Sequence, residues 1–217
     1  MKKILGLLLV IAACIACEND TKNSDPGLQA YTNNEEYKEA VKYEKWKPER
    51  MTAYIANENV LYIMGETDST SYVMKVPYSP SLFGKTIKLE EYRKVENGGK
   101  QANIQFDNRE STKDDAYAYY RVKSKSSLDE TFALYVTRGI DKNKNEVEMG
   151  EVYFAPEADQ IPGTISGTFF ANLIKEDLDE TQQKNFTEKQ KEEHAALQNT
   201  KIFQEGVFFR IPLELPR

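Results

Sequence analysis

Val60-Leu61-Tyr62-Ile63-Met64, Gly65-Glu66-Thr67-Asp68-Ser69-Thr70 and Tyr72-Val73-Met74-Lys75-Val76 together form the stretch whose reading decides the fold. Two short runs rich in β-branched and aromatic residues flank glycine, hydroxyl and acidic residues, the pattern of a β-hairpin. The period-two pattern recurs outward from it. Met51, Ala53 and Ile55 alternate with Thr52 and Tyr54 on one side, and Ile87 and Leu89 follow Gly84 on the other. Asn97-Gly98-Gly99 leads into Ala102, Ile104 and Phe106, a second expected hairpin, because Asn-Gly and Gly-Gly readily adopt the positive φ of tight turns. Further strands are expected over 117–122, 132–137, 147–154, 164–174 and 207–213. Pro77, Pro156, Pro162 and Pro212 sit near strand ends, where a missing N–H is tolerated. About ten strands predict an all-β fold, an antiparallel β-sandwich with a flattened closed barrel as the alternative, carrying a helical insertion near the C-terminus.

The amino terminus has a different character. Lys2 and Lys3 precede an apolar run from Ile4 to Ile11, and small residues lead to a cysteine, the layout of a secretory signal too short to span a bilayer. Its end resembles the lipobox of bacterial lipoproteins, in which the cysteine after two small residues becomes acylated. Two registers compete: Cys14 follows Ile11-Ala12-Ala13, whereas Cys17 is followed by the polar, acidic Glu18-Asn19-Asp20 and is favoured on that ground. The resemblance implies a signal peptide over 1–16 and attachment to the outer membrane or cell surface through an amino-terminal lipid, since multiple acyl chains anchor stably without a spanning helix. Residues 17–45 then read as a tether, in which Thr32 or Asn33 caps a short helix reaching Val41. Residues 46–217 read as a single β domain.

Removing residues 1–16 from the 217 leaves 201, enough for one sizeable core. The formal charge moves from −6 to −8 as Lys2 and Lys3 leave, and no basic cluster in the sequence compensates, which argues against nucleic acid as a partner. With Cys14 discarded and Cys17 acylated, neither of the two cysteines remains for a disulfide, a thiol nucleophile or cysteine-bound zinc.

Gly163-Thr-Ile-Ser-Gly-Thr-Phe-Phe-Ala, followed by Ile202-Phe-Gln-Glu-Gly-Val-Phe-Phe-Arg-Ile-Pro, resembles the closing strands of a family of small all-β lipoproteins from Bacteroidota-type bacteria, a domain family of unknown function. Trp46 and the strand at 51–55 match that family's opening. The resemblance spans roughly 46–213 and implies a compartment and a β fold, with no catalytic residues. The chain departs from the pattern in a long polar segment over 175–201.

Catalytic signatures are weak. His194 is the one histidine, set in Glu-Glu-His-Ala-Ala and expected at the solvated surface, and no serine lies in a Gly-x-Ser-x-Gly turn. Gly84-Lys85-Thr86 lacks the first glycine of a phosphate-binding loop, because Ser79 occupies that place. The Asp141-Lys-Asn-Lys-Asn-Glu run starts like a calcium loop, yet Glu146 stands where glycine is required and Val152 where the bidentate glutamate belongs; a solvated hairpin is expected. No metal, cofactor or catalytic residue is assigned. Carboxylates assembled only in three dimensions would make a carbohydrate-active hydrolase the alternative, and a purely structural envelope component the third reading.

Aromatic residues supply the binding candidates. Tyr117 and Tyr119 share a strand face with Arg121, opposite Ala118, Tyr120 and Val122, while Phe208 and Arg210 oppose Val207, Phe209 and Ile211. Both faces therefore carry apolar area: either a second layer or the amino-terminal segment covers it, or a face left uncovered would suit a glycan or protein partner. In the polar segment, Thr187 and Gln190 make a capping box for a helix through about Gln198. Its apolar residues are too few for a docking stripe, so the segment reads as an excursion outside the β core, either a mobile solvated loop or a contact that touches a partner through Phe186 and Leu197. The candidate binding residues are Trp46, Tyr117, Tyr119, Phe186 and Leu197. Ser69, in Asp68-Ser69-Thr70 at the expected hairpin tip, resembles the O-glycosylation acceptor of exported proteins in such bacteria. The expected function is that of a membrane-anchored, non-enzymatic envelope lipoprotein binding a protein or glycan.

Overall fold

The alternation around residues 60–76 builds the hairpin at the centre of the sheet, with each residue from Val60 opposite Pro77 to Glu66 opposite Ser71 in unbroken antiparallel register. The computed structural model describes residues 25–33, 43–56, 59–92, 115–125 and 130–214. Cys14, Cys17, the signal segment and the hairpin at 97–99 lie outside them. The strands are β1 (Gly27–Asn33), β2 (Tyr43–Trp46), β3 (Arg50–Ala56), β4 (Val60–Glu66), β5 (Thr70–Pro77) and β6 (Thr86–Lys88). They continue with β7 (Tyr117–Lys123), β8 (Thr131–Thr137), β9 (Gly150–Phe154), β10 (Thr164–Lys175) and β11 (Thr200–Glu214). Helices α1 (Glu180–Asn185) and α2 (Glu188–Ala196) lie between β10 and β11. The fold is an all-β sandwich with this helical insertion.

The eleven strands of the described residues belong to one sheet in the order β2-β1-β11-β3-β4-β5-β7-β8-β10-β9-β6. Because β10 also pairs with β11, the path from β3 through β8 returns on itself. The closure is irregular: its seam is a short parallel contact, Leu213 with Ala53 and Glu214 with Tyr54, whereas the other pairings are antiparallel. β4 and β5 read as nearly continuous apolar runs because both of their faces are covered, one by the main core and the other by an outer aromatic cluster. Leu61, Ile63, Tyr72 and Met74 fill the main core, while Val60, Tyr62, Met64 and Val73 join Tyr119 and Val136 in a second cluster on the opposite face.

Two expectations for the amino-terminal part are corrected. Residues 27–33 are neither tether nor the start of a helix: β1 lies between β2 and β11, and Leu28 and Ala30 are in the core. Thr32 and Asn33 are strand residues, their backbone committed to Phe203 and Glu44 or to Tyr43. Trp46, assigned to a binding surface, packs edge-on against Tyr72 at 5.7 Å and Phe203 at 5.2 Å. Gly65 makes room for it, since a Cβ there would lie 2.8 Å from the indole and 2.7 Å from Leu28.

The simple alternation along 207–213 also fails. Phe203, Phe208 and Ile211 are all fully buried although their spacing is five and three. Glu205 and Arg210 take positive φ, 49° and 51°, and the register with β10 shifts in two places, so two bulges reset which side faces inward. Close backbone approach there selects glycine. A Cβ on Gly167 would stand 2.1 Å from the Tyr153 carbonyl oxygen and 2.4 Å from the Phe208 ring, and one on Gly206 would stand 2.5 Å from Phe169.

Candidate functional site

The insertion is docked on the β body, not projected away from it. The expected helix capped by Thr187 forms as α2, and a second helix, α1, precedes it because it has a capping box of its own. Asp179 accepts N–H groups from Thr181 and Gln182 while Gln182 returns to the Asp179 amide; Thr187 and Gln190 do the same for α2, as their spacing predicts. Phe186, between them, stacks on Phe132 of β8 with centroids 5.6 Å apart and planes at 15°. Gln182 Nε2 donates to the Thr131 carbonyl at 2.8 Å, and Leu197 packs against the main core. Phe186 and Leu197 therefore serve internal packing, which corrects the partner-contact role expected for them.

His194 is corrected as well. It is buried, with its ring edge-on to Phe132 at 6.0 Å. Burial, and then the positive charges of Lys175 and Lys142, push its pKa down to about 4, against a smaller opposing pull from Asp177. Lys175, the last residue of β10, is itself buried. Its Nζ donates to the carbonyl oxygens of His194 at 2.8 Å and Leu197 at 2.9 Å, placing a cation on the C-terminal end of α2, where the helix carbonyls need partners.

A cleft of about 610 Å³ opens beside this contact. Lys175 and Asp177 come from the end of β10 and the chain just beyond it, Lys142 from the β8–β9 connection, and Lys191 and His194 from α2; Leu178, Ala195, Gln183 and Asn199 complete the wall. Lys142 Nζ lies 2.6 Å from Asp177 Oδ1, and the lysine holds the carboxyl below the usual carboxylate range. Lys191 pairs with Glu188 at 2.8 Å. Asp177 is the one carboxylate among the described residues that line the cleft, so the described wall does not supply the pair a glycosidase uses. No group of three or more His, Cys, Asp or Glu suited to a metal occurs among the described residues.

Tyr117 and Tyr119 lie elsewhere. Tyr92 meets them edge-on at 5.1 and 5.9 Å, Tyr54 and Tyr62 stack at 5.0 Å nearby, and the fully buried ammonium of Lys75 sits 5.0 Å above the Tyr117 ring. Burial raises the hydroxyl pKa values of Tyr54, Tyr92, Tyr117 and Tyr119, with neighbouring tyrosines adding to the shift. Tyr119 is buried and Tyr117 half-buried, so the pair belongs to a packed aromatic cluster and not to an open strip.

Ser69 is exposed at the tip between β4 and β5, as its flanking residues predict. Thr67 Oγ1 accepts from the Thr70 and Ser69 amides, and the Ser69 carbonyl accepts from the Lys123 amide at 2.8 Å, which fixes the backbone and leaves the side chain outward. The Asp141 run is a solvated turn: the carboxylate accepts from the amides of Asn143 and Asn145, both at 2.8 Å, and Ile140 bridges Glu146. Gly84 takes φ +74° in the turn that leads into β6.

The cleft residues escaped the sequence reading because they come from three segments with no common spacing. Comparison with known proteins returned no match to a family model, to a curated protein or to a solved structure.

Proposed function

We propose that this protein is a non-enzymatic envelope lipoprotein, held on the outer membrane or cell surface through an acylated Cys17, whose β domain binds a partner at the cleft beside α2. The observation that carries the anchor is the Ala16-Cys17-Glu18 boundary after a charged and then apolar leader, with the domain's first strand beginning only ten residues later at Gly27. The resemblance of 163–171 and 202–212 to the closing strands of Bacteroidota-type lipoproteins supports the same compartment. The binding half of the reading is supported by the cleft, which groups charged and amide side chains on the rim of a body otherwise closed by β pairing.

Mass spectrometry of the mature amino terminus, with membrane fractionation, tests the anchor. An acylated peptide beginning at Cys17 is expected, and Cys17→Ser should leave the protein in the soluble fraction. An unmodified peptide running through Cys17 overturns the reading, and acylation at Cys14 moves it by three residues. The exposed Ser69, preceded by Asp68, is proposed as an O-glycan acceptor; an unshifted mass for its peptide from native material refutes that assignment.

A further inference from the structure

We infer that the cleft beside α2 receives the carboxylates of an acidic peptide segment on a partner protein, a proposal that deepens the binding role above and rests on it. Lys142, Lys175 and Lys191 line it; Lys142 is matched by Asp177 and Lys191 by Glu188, while the buried Lys175 ammonium donates to the His194 and Leu197 carbonyls, so these groups together carry one positive charge in excess in a chain whose formal charge is −6. A local excess of one sign in a recessed surface gathers ligands of the other sign. The molecule already holds a carboxylate of its own there: Asp177 lies 2.6 Å from Lys142 on a side chain that is 90% exposed. Exposed ion pairs contribute little, so exchanging Asp177 for an incoming carboxylate at Lys142 costs little.

Lys191 offers the second ammonium, and its partner Glu188 is likewise mostly exposed to solvent, at 85%, and replaceable. The side-chain amide of Asn199, and the second N–H of Gln183 Nε2, which already donates to the Leu178 carbonyl at 3.0 Å, can donate to the remaining carboxylate oxygens, while Leu178 and Ala195 present aliphatic surface to the methylenes of a peptide. The nearby aromatic rings, Phe132 and Phe186, are stacked on each other and are not among the residues that line the cleft, so a sugar ring has no platform there. That favours a peptide over an acidic glycan.

The test uses the full chain in detergent, a fluorescent hexa-aspartate peptide and anisotropy at low and high salt. Lys142→Gln combined with Lys191→Gln should weaken binding about tenfold or more, whereas Asp177→Asn should tighten it about threefold by removing the internal competitor. Lys45→Gln with Lys88→Gln, two exposed lysines on β2 and β6, is the charge control. Equal loss in that control, no response to either cleft variant, or preferential binding of an oligogalacturonate overturns the proposal. If the double variant fails to unfold cooperatively, Asp177→Asn decides alone: tightening supports the site and no change refutes it. The mass of the amino-terminal peptide is read on the same preparation. Acylated protein that ignores the peptide refutes only the ligand class, and unacylated protein that binds it refutes only the anchor.

Discussion

The ammonium of Lys175 donates to the carbonyl oxygen of His194 at 2.8 Å, joining the last residue of β10 to the last turn of α2, the second helix after it. A second donation, to Leu197 at 2.9 Å, places both acceptors on the C-terminal end of α2. Lys175→Met keeps the aliphatic stem and removes these charge-assisted bonds. It should lower stability by about 2 to 3 kcal/mol, measured by denaturant unfolding, and increase amide exchange in α2 before the rest of the chain. Unchanged exchange in α2 would show that the helix is held by other contacts.

Phe186 offers a second test of the docked insertion. Its stacking on Phe132, together with the Gln182 bond to Thr131, predicts that Phe186→Ala costs about 2 kcal/mol, below the range for a fully buried ring because Phe186 is half-buried. Replacing residues 176–200 with a short Gly/Ser turn should cost more than Phe186→Ala alone, since it uncovers Phe132 and Tyr135 together. An unfolding midpoint matching that of the intact chain would mean the insertion is dispensable to the core.

Gly206→Ala should be among the most damaging small substitutions in the chain, lowering stability by about 3 kcal/mol or more, because the added methyl meets the buried Phe169 ring at 2.5 Å. Gly163→Ala provides the comparison. It has open space but a φ of +76°, so only backbone strain of about 1 kcal/mol is expected. Thermal unfolding of the two variants separates steric from conformational cost.

His194 gives the fold a pH dependence of definite sign. Its folded pKa, near 4, lies below the ordinary 6.5, so between those values the unfolded chain binds the proton more readily. The stability contributed by the neutral imidazole is complete above about pH 6.5 and is lost as pH falls toward 4, by no more than about 3 kcal/mol. Asp177, whose carboxyl is lowered by Lys142, acts in the same direction but below its ordinary value of 3.8. His194→Gln should flatten the stability profile between pH 6.5 and 4, as measured by urea midpoints across that window. An unchanged slope would assign the dependence to other groups.

The sheet was legible where alternation is local. The hairpin at 60–76, the strands at 117–122, 132–137 and 164–174, and the Thr187–Gln190 capping box follow from neighbours within a few residues. What could not be read depends on contacts far apart in sequence. The short strand at 27–33 lies in a polar stretch and is held by β11 about 180 residues away, where Asn33 donates to the Thr200 carbonyl and accepts from the Ile202 amide. Bulges at Glu205 and Arg210 shift the inward phase of β11 without a glycine to announce them at either position. His194 has polar neighbours in sequence but is covered by Phe132 and Lys175 in space, so its burial, and the cleft beside it, had no local signature.

The placement of β1 has a mechanical consequence. It runs antiparallel to β11, and five of its seven residues are paired with that strand from Gly27 to Thr32. Tension applied from the amino-terminal side enters at Gly27 and runs along the strand axis, across the direction of its hydrogen bonds. Those bonds are then strained together in shear and not peeled one after another. With β2 bonded along its other edge, β1 meets such tension with hydrogen bonds on both sides of the strand.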